Sequence, residues 1–138
     1  MAAIFCRLDG SPAVEGRNNY TDVEYGSWYY DAVTWARQSG VMSGYGNNLF
    51  GPNDPVTRQQ LAAMFCNYAN YKGYDVTAAG GLSGFTDAGE ISPWAQDAVK
   101  WAVGIGLMNG KGGGILDPQG TATRAEVAAM LHNFIECN

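Results

Sequence analysis

A short signature, Thr-Arg followed two residues later by Glu or Gln and then by an apolar helical stretch, occurs twice in this chain. It is read at Thr57, Arg58 and Gln60 and again at Thr123, Arg124 and Glu126, an offset of 66 residues. A chain that repeats itself folds as stacked copies of one supersecondary unit, so the repeat limits the architecture before any residue is given a chemical role. At the same offset Trp28 aligns with Trp94, Asp31 with Asp97, Trp35 with Trp101, Gly40 with Gly106, Gly44 with Gly110 and Pro52 with Pro118. The openings Tyr20-Thr21-Asp22 and Phe85-Thr86-Asp87 pair at 65, one residue short. A third, broken copy starts the chain, where Ala2-Ala3-Ile4-Phe5-Cys6 matches Ala62-Ala63-Met64-Phe65-Cys66 at an offset of 60. The expected organisation is one domain over 1–138, with the end of a truncated first module at 1–14, a second module at 20–72 and a third at 85–138.

Within a unit, Ser27 and Ser92 stand where a helix N-cap is wanted, and Pro93 follows at a position that needs no N–H. Trp28, Ala32, Trp35 and Ala36 then recur at helical spacing, as do Trp94, Ala98, Trp101 and Ala102, so one stripe of each helix is apolar. Gly40 and Gly106 supply the left-handed residue that ends this helix. The segments 45–52 and 111–118 are too rich in Gly, Asn and Pro for regular structure, and Phe50 and Leu116 are their matched apolar anchors. The second helix opens with a capping box, Thr57 with Gln60 and Thr123 with Glu126. Its buried stripe is Leu61, Met64, Phe65 and Tyr68, and in the later copy Val127, Met130, Leu131 and Phe134. The fold class expected is all-α: repeated helix-loop-helix modules, with little contribution from strands.

Bulk composition removes several function classes. A formal net charge of −5 argues against nucleic acid, since phosphate binding requires a dense basic face. No stretch reaches the roughly 20 apolar residues of a membrane span. Three cysteines cannot all pair internally, and Cys6 and Cys66 lie in helical stretches as small core residues. Cys6, Cys66 and His132 occupy equivalent positions, and thiol and imidazole are sensible zinc ligands. One such side chain per helix at an otherwise apolar position is packing more often than coordination, so neither metal nor cofactor is expected. A single His with no repeated nucleophile or paired carboxylates gives no basis for an enzyme.

The arginines are the anomaly. With Thr57 and Thr123 as N-caps, Arg58 and Arg124 stand at the first helical position, where the dipole disfavours a cation by roughly 0.3–1 kcal/mol. Two readings follow. Each guanidinium extends past the helix end to hold an anion, joined by backbone N–H donors, or each pairs with Asp22 or Asp87 and ties the repeat together. Trp28 and Trp94 likewise read either as core or as flat platforms for a sugar ring, and Asp22 and Asp87 as turn formers or ligands.

The aromatic-Thr-Asp opening, the Trp-bearing first helix, the Gly-Val-Met-x-Gly and Gly-Leu-Met-x-Gly turns at 40–44 and 106–110, and the Thr-Arg start of the last helix together resemble the S-layer homology module. The resemblance spans nearly the whole chain. It implies modules packed with pseudo-threefold symmetry around a central helical bundle, with grooves that bind the secondary polysaccharide of a bacterial cell wall, often through a negatively charged pyruvylated sugar. It implies no catalysis, an extracellular location at the cell wall, and surface anchoring. Carried over, the motif arginines are Arg124 and Arg58, the latter in a motif where Gln60 replaces the usual acid. Trp28, Trp94, Asp22, Asp87 and Lys111 complete the expected ligand-binding set, and Tyr45, equivalent to Lys111, borders the other groove. The competing expectation is a structural module that self-associates through its incomplete first copy.

Overall fold

The computed structural model describes residues 1–44 and 46–137; Tyr45 lies outside the described residues. Five α-helices run along them: α1 (Ala2–Leu8), α2 (Tyr30–Ser39), α3 (Arg58–Tyr71), α4 (Gln96–Gly104) and α5 (Arg124–Cys137). No strand forms among the described residues, only isolated antiparallel bridges. The all-α expectation holds in that sense. The chain divides into two compact units, Met1–Asp54 and Pro55–Asn138. The division falls inside the second repeat, so α3 belongs with the third repeat rather than with the loop that precedes it.

In the first unit α1 packs on α2, and Phe5, Val33, Trp35, Ala36, Val41 and Phe50 form its core. A polar node sits in this apolar setting. Buried Asn18 donates from its side-chain amide to Thr34 Oγ1 at 2.9 Å, and its own backbone N–H reaches the Tyr30 hydroxyl at 3.2 Å. Its side-chain oxygen accepts from the Tyr20 N–H at 3.2 Å, which leaves it with partners on both sides, as a buried amide requires. Gly40 ends α2 in the left-handed region at φ 81°, as its position predicts.

The start of α2 differs from the sequence reading. The helix begins at Tyr30 without a side-chain cap, because the Ser27 hydroxyl donates instead to the Glu24 carbonyl at 2.7 Å and residues 28–29 form a turn. Trp28 is therefore not on the helix, and it is 76% exposed. Its counterpart Trp94 lies in a 3-10 turn, Pro93–Ala95, ahead of α4, and is 61% exposed. Of the two readings of these tryptophans, core and platform, the core one is excluded by this displacement: helical spacing assigns a face only to residues inside the helix. Trp35 and Trp101, which are inside, are buried.

In the second unit α3 packs on α4 and on the turn before it. Leu61, Phe65, Tyr68, Val99, Trp101 and Leu107 are buried there, together with Met130 and Phe134 of α5. Phe134 meets the rings of Phe65 and Tyr68 at centroid distances of 5.3 and 5.8 Å, a range typical of tilted and edge-on aromatic pairs. Met64, Val127 and Leu131 are half-buried, so the expected stripe is right in its centre and open at its margins.

The turns at Gly44 and Gly110 explain one feature of the repeat. A Cβ on Gly110 would stand 2.7 Å from the Phe85 ring and 2.9 Å from the Ile115 carbonyl; on Gly44 it would meet the Leu49 carbonyl at 2.6 Å and the Tyr20 ring at 3.0 Å. The aromatic that opens each repeat therefore lies against a glycine that cannot be replaced without displacing it. We expect Gly110→Ala to destabilise the protein by about 1–3 kcal/mol in urea unfolding, while Gly89→Ala, which meets nothing within 4 Å, changes stability by well under that.

Candidate ligand-binding site

Each Thr-Asp pair clasps the loop of its own repeat. Thr21 N–H donates to the Asn48 carbonyl at 2.8 Å and Thr86 N–H to Gly114 at 2.8 Å. The Asp22 carboxylate accepts from Phe50 N–H at 2.9 Å and Gly51 N–H at 2.7 Å, and Asp87 from Leu116 and Asp117 N–H at 2.9 and 2.8 Å. Burial alone would raise the Asp22 pKa, but the Phe50 and Gly51 donors outweigh it and bring the group below its ordinary value. For Asp87 the Leu116 and Asp117 donors dominate and lower it directly. Both carboxylates are thus turn formers that close the loop over the buried anchors Phe50 and Leu116.

Neither aspartate pairs with a motif arginine, which corrects that reading. Arg58 is 4% exposed. Its Nε donates to the Leu116 carbonyl at 2.9 Å, its Nη2 to the Asn109 carbonyl at 2.6 Å, and its Nη1 to the Glu126 carboxylate. Burial lowers its pKa, and the nearby carboxylates of Asp117 and Asp87 act in the opposite sense.

The free N–H groups of α3 are occupied as well. Arg58 N–H reaches Gly120 O at 2.9 Å, Gln59 N–H reaches Pro118 O at 2.8 Å, and Gln60 N–H reaches Thr57 Oγ1 at 3.2 Å. The donors that would have met an anion at this helix end are consumed by the chain's own carbonyls. Arg58 is thus a structural tie within the second unit, buried from solvent.

Arg124 has the opposite setting. It is exposed at the first position of α5, and it pairs with no carboxylate among the described residues. The capping box beneath it is complete: Thr123 N–H donates to Glu126 Oε1 and Glu126 N–H to Thr123 Oγ1, both at 3.1 Å. Lys111 is also exposed, with Nζ 2.8 Å from Asp117 Oδ2 in a surface pair that solvent screens and that contributes little to stability. Trp94 rises from a turn fixed to α3 by a reciprocal pair, Gln59 Nε2 to Ser92 Oγ and Ser92 N–H to Gln59 Oε1, both 2.9 Å. Ser92 therefore serves this tie and makes no side-chain cap.

Two of these roles, that of Gln59 and the second one of Glu126, are not part of the sequence reading. Gln59 is the departure from Ala125 at the matched position, and that difference was the available signal. Glu126 was read as a cap alone; its second oxygen goes to Arg58, a partner 68 residues away that no local pattern indicates. Among the described residues no group of three or more His, Cys, Asp or Glu side chains is arranged to hold a metal ion, and no helix is long and apolar enough to cross a membrane.

Two outcomes follow from this geometry. Arg58→Ala strands the Glu126 carboxylate and is expected to cost roughly 3–5 kcal/mol in denaturant unfolding, whereas Arg124→Ala stays within about 0.5 kcal/mol of the unsubstituted protein. Because Asp22 and Asp87 titrate lower folded than unfolded, their contribution is complete above the unfolded carboxylate value near about 3.9 and disappears as pH falls through the folded value. Urea melts between neutral and acid pH are expected to show a stability loss below about pH 4 that is smaller in Asp87→Asn.

Comparison with known proteins places this geometry. The S-layer homology domain matches at residues 19–62 and 84–128. The exoglucanase XynX of Acetivibrio thermocellus is 33% identical over 121 residues, covering 85% of this chain and 11% of that protein. The surface-layer 125 kDa protein of Lysinibacillus sphaericus is 31% identical over 125 residues, covering 88% of this chain and 10% of that one. The cellulosome-anchoring protein of Acetivibrio thermocellus is 33% identical over 96 residues, 69% of this chain and 21% of its own length. This chain therefore spans only 10% to 21% of these three relatives. Among solved structures, the undecaheme cytochrome from the S-layer of Carboxydothermus ferrireducens aligns over 98% of this chain and 20% of its own, with a TM-score of 0.53 and 21% identity, a likeness of fold alone. With both repeats matched in register, motif arginines included, the chain belongs to the S-layer homology family.

Proposed function

We propose that this protein holds a surface protein to the bacterial envelope by gripping an anionic cell-wall polysaccharide, with Arg124 as the principal anion contact. Family membership itself makes the chain a cell-surface anchoring module located outside the cell, at the cell wall or surface. The domain is non-catalytic: the exoglucanase shares only 11% of its length with this chain, through its S-layer homology region. The polysaccharide and its acidic group go beyond what membership of the family carries. One observation carries it. Of two arginines that occupy the same position in the repeat, one is buried and fully partnered and the other projects into solvent from a capped helix end.

The exposed Trp94 and Trp28 suit stacking against sugar rings, each on its own unit, since an aromatic face left in water on a fixed turn gains from covering an apolar sugar face. Lys111 adds a second cation beside the second unit's loop, once a ligand acid competes with Asp117 for it. A pyruvyl ketal, which places a carboxylate on an otherwise neutral sugar, matches a guanidinium. Asp22 and Asp87 leave the proposed contact set, because their oxygens are committed to loop N–H groups.

Self-association is a second reading with its own support. In α3 the face bearing Ala62 and Ala69 is buried against α4 and its preceding turn, while the equivalent α5 residues Ala128, His132 and Ile135 are exposed. A further helix of the α2 or α4 type would cover that face. Light scattering at high concentration distinguishes this reading, which a strict monomer excludes.

Co-sedimentation with purified cell-wall sacculi tests the main proposal. Arg124→Ala is expected to weaken binding about ten- to hundredfold, the range for one charge-assisted contact, with an unchanged melting temperature. Sacculi stripped of polysaccharide, or of pyruvyl groups, are expected to retain little protein. Equal retention of the variant and the unsubstituted chain would remove Arg124 from the site.

A further inference from the structure

We infer that Arg58 is a positioning residue for the Arg124 contact, acting through Glu126, so that the buried arginine of one repeat sets the binding arginine of the next. The inference rests on the polysaccharide reading above and adds to it a residue that touches no ligand. Glu126 connects the two arginines. One of its oxygens caps the Thr123 N–H at 3.1 Å, in the turn from which Arg124 projects; the other takes the Arg58 guanidinium. Arg58 is held in turn by the Leu116 and Asn109 carbonyls, at 2.9 and 2.6 Å, and by its place on α3.

Backbone contacts follow the same course. Ala122 N–H donates to Val56 O at 2.7 Å, Arg58 N–H donates to Gly120 O, and Thr57 and Thr121 form an antiparallel bridge. The segment leading into α5 is thereby bound by its backbone to the start of α3, and the first turn of α5 by the acid of Glu126. This matters because the first turn of a helix frays, and an arginine side chain has much rotamer freedom to lose when it meets a ligand. A fixed base shortens the search the guanidinium must make, and contact geometry then depends on a residue that is itself dry.

The matched residues show that this is a specialised arrangement. The first motif has Gln60 where the second has Glu126, so only the later copy can cap a helix with one oxygen and neutralise a buried guanidinium with the other. The pair is also confined to the second unit, which contains every residue named here.

The test is a double-mutant cycle in binding. Arg58→Met with Glu126→Gln removes the ion pair without stranding a charge and keeps an amide oxygen for the cap, so the variant folds; Glu126→Gln alone is the second variant. Affinity for polysaccharide-bearing sacculi is measured for the unsubstituted protein, Arg124→Ala, the Arg58→Met/Glu126→Gln pair, and all three changes together. The pair is expected to weaken binding about tenfold when Arg124 is present and to have no further effect when residue 124 is Ala. A role confined to folding would move the melting temperature and leave this non-additivity absent. Losses that multiply, or a pair variant that binds normally, overturn the assignment while leaving the anchor reading intact. No binding by the unsubstituted protein overturns both.

Discussion

A guanidinium buried at the start of a helix faces two penalties, the unfavourable end of the dipole and the loss of water, and Arg58 survives both only because three acceptors converge on it. Those acceptors come from three places in the sequence: the turn after α4, the loop anchor Leu116 and the first turn of α5. Fixing one side chain therefore fixes three otherwise independent segments of the second unit. The Gly- and Pro-rich loop closes on itself only through a short turn at Gly112 and Ile115, and it is held to the rest of the unit by this cation on one side and Asp87 on the other.

The repeat places one motif in two environments. Arg58 has the following copy's loop to enter; Arg124 has no equivalent loop against it among the described residues, and its charge faces solvent. Likewise Gln59 reaches across to Ser92, whereas Ala125 at the matched position cannot reach anything. Divergence between copies thus gives one motif a buried, structural place in one repeat and a solvent-facing place in the other, the one we propose for binding. An arginine is suited to either, since its planar donors satisfy carbonyls in the interior as readily as they meet a carboxylate outside.

Much of the frame was legible from local chemistry. Capping boxes at Thr57 and Thr123, the left-handed Gly40 and the anchors Phe50 and Leu116 are marked by residue type and spacing within one loop or one helical turn, whereas Asp22 and Asp87 reach N–H groups 28 to 30 residues on. The core reading of Trp28 and Trp94 fails for a specific reason. Their spacing to Trp35 and Trp101 fits a helix, but each helix starts later, after a turn whose hydroxyl is used elsewhere. Ser27 binds Glu24 and Ser92 binds Gln59, so neither serves as the cap its position suggested.

By itself the sequence determined that the chain is helical, that it repeats, where its last helices begin and which family it belongs to, because those properties are set by short-range hydrogen bonds and by the periodicity of apolar side chains. Only the tertiary structure decided which arginine is dry and which is wet. That choice depends on contacts between residues more than fifty positions apart, Arg58 with Asn109, Leu116 and Glu126, and two identical dipeptides carry no local information about which of them a distant loop will cover.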